Sequence, residues 1–516
     1  MLRPRLRGLG LLAVVGAMVA PGVAQARQGA ASWETITTSH RIVLDGAPLA
    51  YTARAGFLPI RENYAGELRA RMFFVSYTVK PKPGAPARPL TFLWNGGPGS
   101  NAALVHLLGF GPKRLNTGDT LPTSTFDTQR KWSDNQETWL GVSDLVFIDP
   151  VGTGYSRPAR VEYGADFYQT VGDIESVAEF IRVYITRYDG WDSPIVLAGE
   201  SYGVTRAAGV AEALERREMR VSGVILICGG VPFGQPRPPQ TLSLALAVPG
   251  MTAAAFYHRK LAPELQANLD ATLRKAEGWA ENVYAPALAR RDALTPAERE
   301  TILSQLSSFV GIPVGALDSA NLAVDRQRYS TQLLDAEGLQ FGNYDTRMTR
   351  PRDPPGTPYD PEQDPSLKYV LNPVGVLRYL RNELKVDQDL RYQGPFGGGY
   401  PPPAGPRGDW MSVRWNFGQA PGQGGGSPPS PLLKRAMEIN PALTVFVAQG
   451  LYDSGGCLPS LRAVRLLEPP LAGRVTAACY LGGHSFYTDK EPRAKLRQDF
   501  TRFVQDIRTR QADAAR

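Results

Sequence analysis

A short apolar run, Pro194-Ile195-Val196-Leu197-Ala198, leads into Gly199-Glu200-Ser201-Tyr202-Gly203 and then directly into Val204–Arg217, which has the composition of a helix. A chain that passes from a buried strand to a helix within five residues has little room to turn. It must place the central serine on a sharp, strained bend, and small residues at both ends let neighbouring backbone approach where a side chain would clash. No other stretch constrains the fold as much, because a strand followed at once by a helix is the repeating unit of a helix-covered parallel sheet. The five-residue pattern alone is weak in a chain with 53 glycines among 516 residues, so the flanking strand and helix decide its meaning.

Other segments fit the same plan. Arg41–Leu44 and Leu49–Ala53 flank Asp45-Gly46, a hairpin signal, and Met72–Val79 alternates like a third strand. Pro89–Trp94 reads as a strand running into Asn95-Gly96-Gly97-Pro98-Gly99, and Asp144–Ile148 as one ending at Asp149-Pro150. Ile174, Val177, Ala178, Ile181 and Ile185 recur at the helical period, with Asp173 as the expected cap. After the strand Val224–Cys228 the pattern breaks. Residues 234–433 hold helical stretches such as Thr252–Leu261 and Pro296–Phe309, and Gly/Pro-rich tracts at Gly394–Gly408 and Gln419–Pro431. Strands resume at Thr444–Ala448 and Thr476–Leu481, and an amphipathic helix near Pro492–Ile507 precedes a polar tail expected to fray. The expected domain plan is a core at 27–233, a cap insertion at 234–433 and the rest of the core at 434–516.

Residues 1–26 carry Arg3, Arg5 and Arg7, an apolar Leu9–Ala20 and a small-residue end at Ala24-Gln25-Ala26, the order of a secretory signal peptide. The expected product is exported, periplasmic or secreted, with no membrane attachment after cleavage. The formal net charge of +8 owes three arginines to that segment, and the remaining basic residues are scattered, so no nucleic-acid partner is expected. Three cysteines remain. Cys457 and Cys479 lie between the later site candidates and are a candidate pair, and the odd count leaves at least one thiol free. The residues show no metal cluster and no nucleotide loop, so no cofactor is implied. Nothing in the sequence sets an oligomeric state.

A hydrolytic serine needs a base, and the base needs an orienting acid. The chain has four histidines: His40, His106, His258 and His484. His484 alone follows a late strand, in Gly482-Gly483-His484, and gives the order Ser201, Asp453, His484 that an α/β-hydrolase fold imposes. Asp453 follows the Thr444–Ala448 strand by a short loop, where catalytic residues of open α/β sheets gather. Asp149 reads as a structural turn and Asp489 as a helix cap. The two oxyanion donors are expected to be the backbone N–H groups of Tyr202 and Gly97, since Pro98 has none. The expected fold class is therefore α/β: an α/β-hydrolase fold with a mainly parallel sheet, helices on both faces and an inserted cap.

These segments together make the chain resemble the serine carboxypeptidase family. Asn95-Gly96-Gly97-Pro98-Gly99, Asp149-Pro150-Val151-Gly152-Thr153-Gly154-Tyr155-Ser156 and Gly199-Glu200-Ser201-Tyr202-Gly203 carry the likeness, with Asp453 and His484 at fitting spacing. The resemblance implies an enzyme that removes single residues from peptides with a free C-terminus, through an acyl-enzyme on Ser201. It also implies that Asn95 and Glu200 hold the substrate's terminal carboxylate, helped in that family by a second glutamate. Here that position is Gly109, and the residue after the histidine, often methionine, is Ser485. A lone Glu200 beside a substrate carboxylate must share one proton with it, which predicts weaker peptidase action toward neutral pH. Arg206 either softens that repulsion or is an ordinary surface residue of the helix. An esterase or acyltransferase on the same scaffold is the alternative activity, and a non-catalytic binding protein the third reading.

Overall fold

The computed structural model describes residues 33–115, 132–235, 238–354, 356–357, 363–367, 373–393, 415–418 and 431–514. The expected signal segment and nearly all of the Gly/Pro-rich tracts lie outside them. Nine strands form the main path of the central sheet: β1 (Ile36–Leu44), β2 (Ala47–Arg61), β3 (Leu68–Thr78), β4 (Leu90–Trp94), β5 (Asp144–Ile148), β6 (Ile195–Glu200), β7 (Val221–Ile227), β8 (Thr444–Gly450) and β9 (Val475–Tyr480). Their spatial order is β1-β2-β3-β5-β4-β6-β7-β8-β9, and the two-residue Arg157–Pro158 strand pairs with β3 off this path. The pairs β1·β2, β2·β3 and β3·β5 are antiparallel, while β5·β4, β4·β6, β6·β7, β7·β8 and β8·β9 are parallel. The hairpin turns at Asp45 and Gly46, both at positive φ (51° and 79°), as a tight two-residue turn requires.

Alternating side chains of the parallel strands feed two cores, one on each face. Ile195, Leu197, Val445 and Val447 point to one face, and Val196, Ala198, Phe446 and Ala448 to the other. The first face is covered by helices α1 (Thr170–Arg187), α2 (Gly203–Glu215) and, from late in the chain, α6 (Leu432–Ile439). The second is covered by the C-terminal helix α7 (Lys490–Ala514) through Leu496, Phe500, Val504 and Ile507. Each such aliphatic or aromatic side chain, fully buried, contributes about 1.5–3 kcal/mol. Trp139 stacks between Phe110 and Phe500, with both ring centroids 3.9 Å away, and so joins the loop after β4 to α7. A six-strand parallel region with helices on both faces, ordered in this way, is the α/β-hydrolase fold.

Between β7 and β8 the chain leaves the sheet. Helices α3 (Gln240–Tyr257), α4 (Leu269–Trp279) and α5 (Pro296–Val310) pack around a separate core that includes Val248, Trp279, Leu306 and Val310. Helix α3 starts at Gln240, not Thr252, and stops four residues before Leu261. Pro249 and Gly250 read as breakers locally, but here they sit inside the helix, where Gly250 rests against the Gly455–Gly456 loop. Helix α7 runs through the tail expected to fray, as far as Ala514. Helix α1 starts at Thr170, so Asp173 lies in its first turn as a buried residue and not as its cap. Among the described residues, no helix is long and apolar enough to cross a membrane.

Candidate active site

The carboxyl ends of β4 and β6 meet first. Ser201 sits between β6 and α2 at φ +59°, the strained left-handed region, and its N–H donates to Ile227 O of β7 at 2.9 Å. The bend is tight enough that a Cβ on Gly199 would lie 2.0 Å from Gly203 O. Gly96, at the end of β4, is pressed against the same bend: a Cβ there would lie 2.5 Å from Tyr202 N. Among the described residues, the N–H groups of Gly97 and Tyr202 donate to no protein acceptor. Gly97 is exposed and Tyr202 part-buried, so both amides beside the strained serine can donate to the oxygen of a bound molecule.

Arg206 of α2 fastens this arrangement from beneath. It is 0 % exposed; its Nε donates to Asp173 at 2.7 Å and its Nη1 to the carbonyl of Asn95 at 2.8 Å. Both expectations for Arg206 are therefore corrected. It is neither a surface residue nor a counter-charge to Glu200, because the helix turns it inward onto the Asn95 loop. Removing one partner of such a buried pair typically costs about 3–5 kcal/mol.

The carboxyl ends of β8 and β9 supply the second half. His484 Nδ1 donates to Asp453 Oδ2 at 2.7 Å, each side chain being 17 % exposed. A carboxylate only accepts, so the proton sits on Nδ1 and Nε2 is left as the basic nitrogen. Burial disfavours the imidazolium, but the charge and hydrogen bond of Asp453, together with the charge of Glu200, raise it to about 9. The Cys457–Cys479 disulfide closes the connection from β8 to β9, and Cys228 remains a free, buried thiol. One side-chain atom from each of Cys228, Asp453 and His484 lies within 4.8 Å of the others. Cys228 directly follows Ile227, the anchor of Ser201, so the dyad and the serine share one corner of the sheet. Among the described residues, the Ser201 hydroxyl forms no hydrogen bond to His484. Such bonds are often long before substrate tightens the site.

The other histidines are engaged elsewhere. His106 is buried against Phe147 and bonded to the Tyr77 hydroxyl at 2.6 Å, and burial lowers it to about 3. His40 meets Thr38, and His258 meets the carbonyl of Thr346. Asp149 is buried and accepts from Ala102 N at 2.8 Å, away from His484, and burial raises it to about 7. Asp489 precedes α7, but its carboxylate pairs with Arg347 at 2.7 Å; no capping bond from it is present among the described residues.

Three contributors escaped the sequence. Tyr344, from the excursion between β7 and β8, accepts the His484 N–H at 2.6 Å through its carbonyl and sets its ring against the imidazole. Ser485 and Tyr487 both donate to Glu200, whose carboxylate also accepts from Asn95 Nδ2. Burial pushes the Glu200 carboxyl upward, opposed by His484 and by these donors. Only the hydroxyls one and three residues after His484 signalled a polar partner, and their target lies almost 300 residues earlier.

Residues 46–271 match the family model described as serine carboxypeptidase. The pheromone-processing carboxypeptidase KEX1 of Saccharomyces cerevisiae is 30% identical over 158 residues, 29% of this chain and 20% of that protein. The kex1 protein of Aspergillus niger is 31% identical over 139 residues, 26% of this chain and 20% of that protein. The chain thus spans about a fifth of the length of the curated relatives it matches. The crystal structure of the prohormone-processing carboxypeptidase KEX1(delta)p from Saccharomyces cerevisiae aligns with 88% of this chain and 91% of that one, at 15% identity and a TM-score of 0.49.

Proposed function

We propose that this chain, which belongs over residues 46–271 to the serine carboxypeptidase family, hydrolyses the C-terminal bond of peptides through an acyl-enzyme on Ser201. The observation that carries this is the His484–Asp453 hydrogen bond at the corner where β6 ends in a strained serine. His484 Nε2 takes the Ser201 proton as Oγ attacks the scissile carbonyl, and Asp453 supports the imidazolium that forms. The N–H groups of Gly97 and Tyr202 receive the developing oxyanion, a contribution of about 3 kcal/mol per donor. His484 then passes the proton to the leaving amine, and the C-terminal residue departs. Water, deprotonated by the same nitrogen, hydrolyses the acyl-enzyme.

Asn95 and Glu200 bind the terminal carboxylate in this reading, with Glu200 protonated when substrate is present. Residues 234–433 act as a cap over the site; the hold of Tyr344 on His484 supports that. Residues 1–26 direct export, and the substrates are peptides with a free C-terminus.

Mass spectrometry of a peptide mixture tests the reading. Stepwise trimming from free C-termini, blocked by amidation and lost in Ser201→Ala, is the expected result. Turnover of simple esters without trimming would move the assignment to an esterase. Failure of a fluorophosphonate to label Ser201 would leave only a binding role.

A further inference from the structure

Glu200 is 2 % exposed and adjoins Ser201, yet none of the acylation steps uses its charge. Both of its oxygens are occupied. Oε2 accepts from Asn95 Nδ2 and from the Tyr487 hydroxyl at 2.8 Å; Oε1 accepts from the Ser485 hydroxyl at 2.7 Å. The three donors differ in freedom. Tyr487 is 0 % exposed, and its ring lies over Gly109, where a Cβ would sit 3.0 Å from ring Cδ2. The phenol thus fills the space a longer side chain at 109 would take, and its buried hydroxyl is held on Glu200. Asn95 is held from its other side, its Oδ1 accepting from Val105 N at 3.2 Å. Ser485 is partly exposed, and a serine hydroxyl rotates freely about one bond. Oε2 is therefore pinned, and Oε1 can change partners.

We propose that Ser485 and Tyr487 determine selectivity for a substrate carboxylate. Tyr487 and Asn95 fix Oε2, one proton from solvent settles on Oε1, and Ser485 relays that hydrogen bond outward. In the bound state the Oε1–H donates to Ser485 Oγ, and the Ser485 hydroxyl donates to the carboxylate. One proton is taken up per carboxylate bound, and no covalent bond changes. Two hydroxyls that do not titrate in the working range thus replace a second acid, and Tyr487 acts as a positioning residue behind Ser485. This rests on the carboxypeptidase reading above. The titratable groups facing Glu200 are His484 and Tyr487 on the turn after β9 and Cys228 at the end of β7, the thiol kept neutral by burial and by the charges of Asp453 and Glu200. Arg206 points away, to Asp173 and the Asn95 carbonyl.

The test compares kcat and KM, across pH, for a blocked dipeptide with a free C-terminus and for a matching blocked amino-acid ethyl ester. Ser485→Ala is expected to lower the peptide-to-ester ratio of kcat/KM about tenfold, mainly through KM, and Ser485→Thr to restore it. Tyr487→Phe removes a donor to the carboxylate form, so Glu200 stays protonated to higher pH and the rise of peptide KM moves upward in pH. An unchanged ratio in Ser485→Ala overturns the proposal. So does an equal loss on both substrates with an unmoved pH profile in Tyr487→Phe, which is what a merely structural role would produce. If Tyr487→Phe does not fold, the Ser485 pair decides alone. A wild-type enzyme that trims the dipeptide while the ratio stays flat refutes this inference only; one that turns over the ester and never the dipeptide refutes the function and this inference with it.

Discussion

The turn at Ser201 and the turn at His484 stand side by side at the carboxyl ends of β6 and β9, and they are held by different means. The first is held by backbone. Its serine is strained, its N–H is tied to β7, and glycines at 96 and 199 let the chain close on itself. The second is held by side chains and by distant segments. Asp453 orients the imidazole, a disulfide closes the β8–β9 connection, Tyr344 reaches in from the β7–β8 excursion, and Glu200 gathers Ser485 and Tyr487. A site divided in this way should break by different substitutions in its two halves.

The largest effect is expected at the dyad. Asp453→Asn keeps the shape but loses the charge that holds the Nδ1 proton, and kcat should fall about 10⁴-fold. Active-site titration with a fluorophosphonate checks this, and a loss of less than tenfold would show that the acid lies elsewhere. Next comes the backbone half. Gly96→Ala forces a Cβ onto the Tyr202 amide and should cost about 10²–10³-fold in kcat through the oxyanion site. Its signature is a lost rate with KM nearly kept; a variant with normal kcat would mean the Gly96 loop is not rigidly placed.

The disulfide should matter for stability more than for chemistry. Replacing Cys457 and Cys479 by serine removes the closure of a 22-residue separation and should lower the unfolding free energy by about 3 kcal/mol. Denaturant unfolding with and without reductant measures it, and equal midpoints would remove the disulfide from the account of the second turn. The smallest effects are in the pH profile. The His484 imidazolium is held to about 9, so its neutral, proton-accepting form grows as pH rises, and ester turnover should climb toward that value. The Glu200 carboxyl is raised by burial and, in the proposed reading, supports carboxylate binding only while protonated, so the peptide-to-ester ratio should fall as pH rises. A ratio independent of pH would separate Glu200 from carboxylate binding.

What could be read without coordinates follows the range of the interactions. The central strands, the bend at Ser201 and the long helices α1, α2 and α5 were legible because apolar alternation, helical period and glycine placement act between near neighbours. Helix α3 was misread for the same reason: Pro249 and Gly250 look like breakers until the Gly455–Gly456 loop packs on them. The start of α1 was missed because Asp173 resembles a cap until Arg206, 33 residues later, pairs with it in the core.

The sequence by itself determined that this chain makes a helix-covered parallel sheet, with a serine on a strained bend and a single histidine after a late strand. It did so because each of those features is written in consecutive residues. Only the tertiary structure decided that Arg206 is buried beneath the Asn95 loop, that Cys457 meets Cys479, and that Ser485 and Tyr487 close on Glu200. Those contacts join residues 22 to 287 positions apart, and no local pattern encodes which distant partner a polar side chain finds once the core has excluded water.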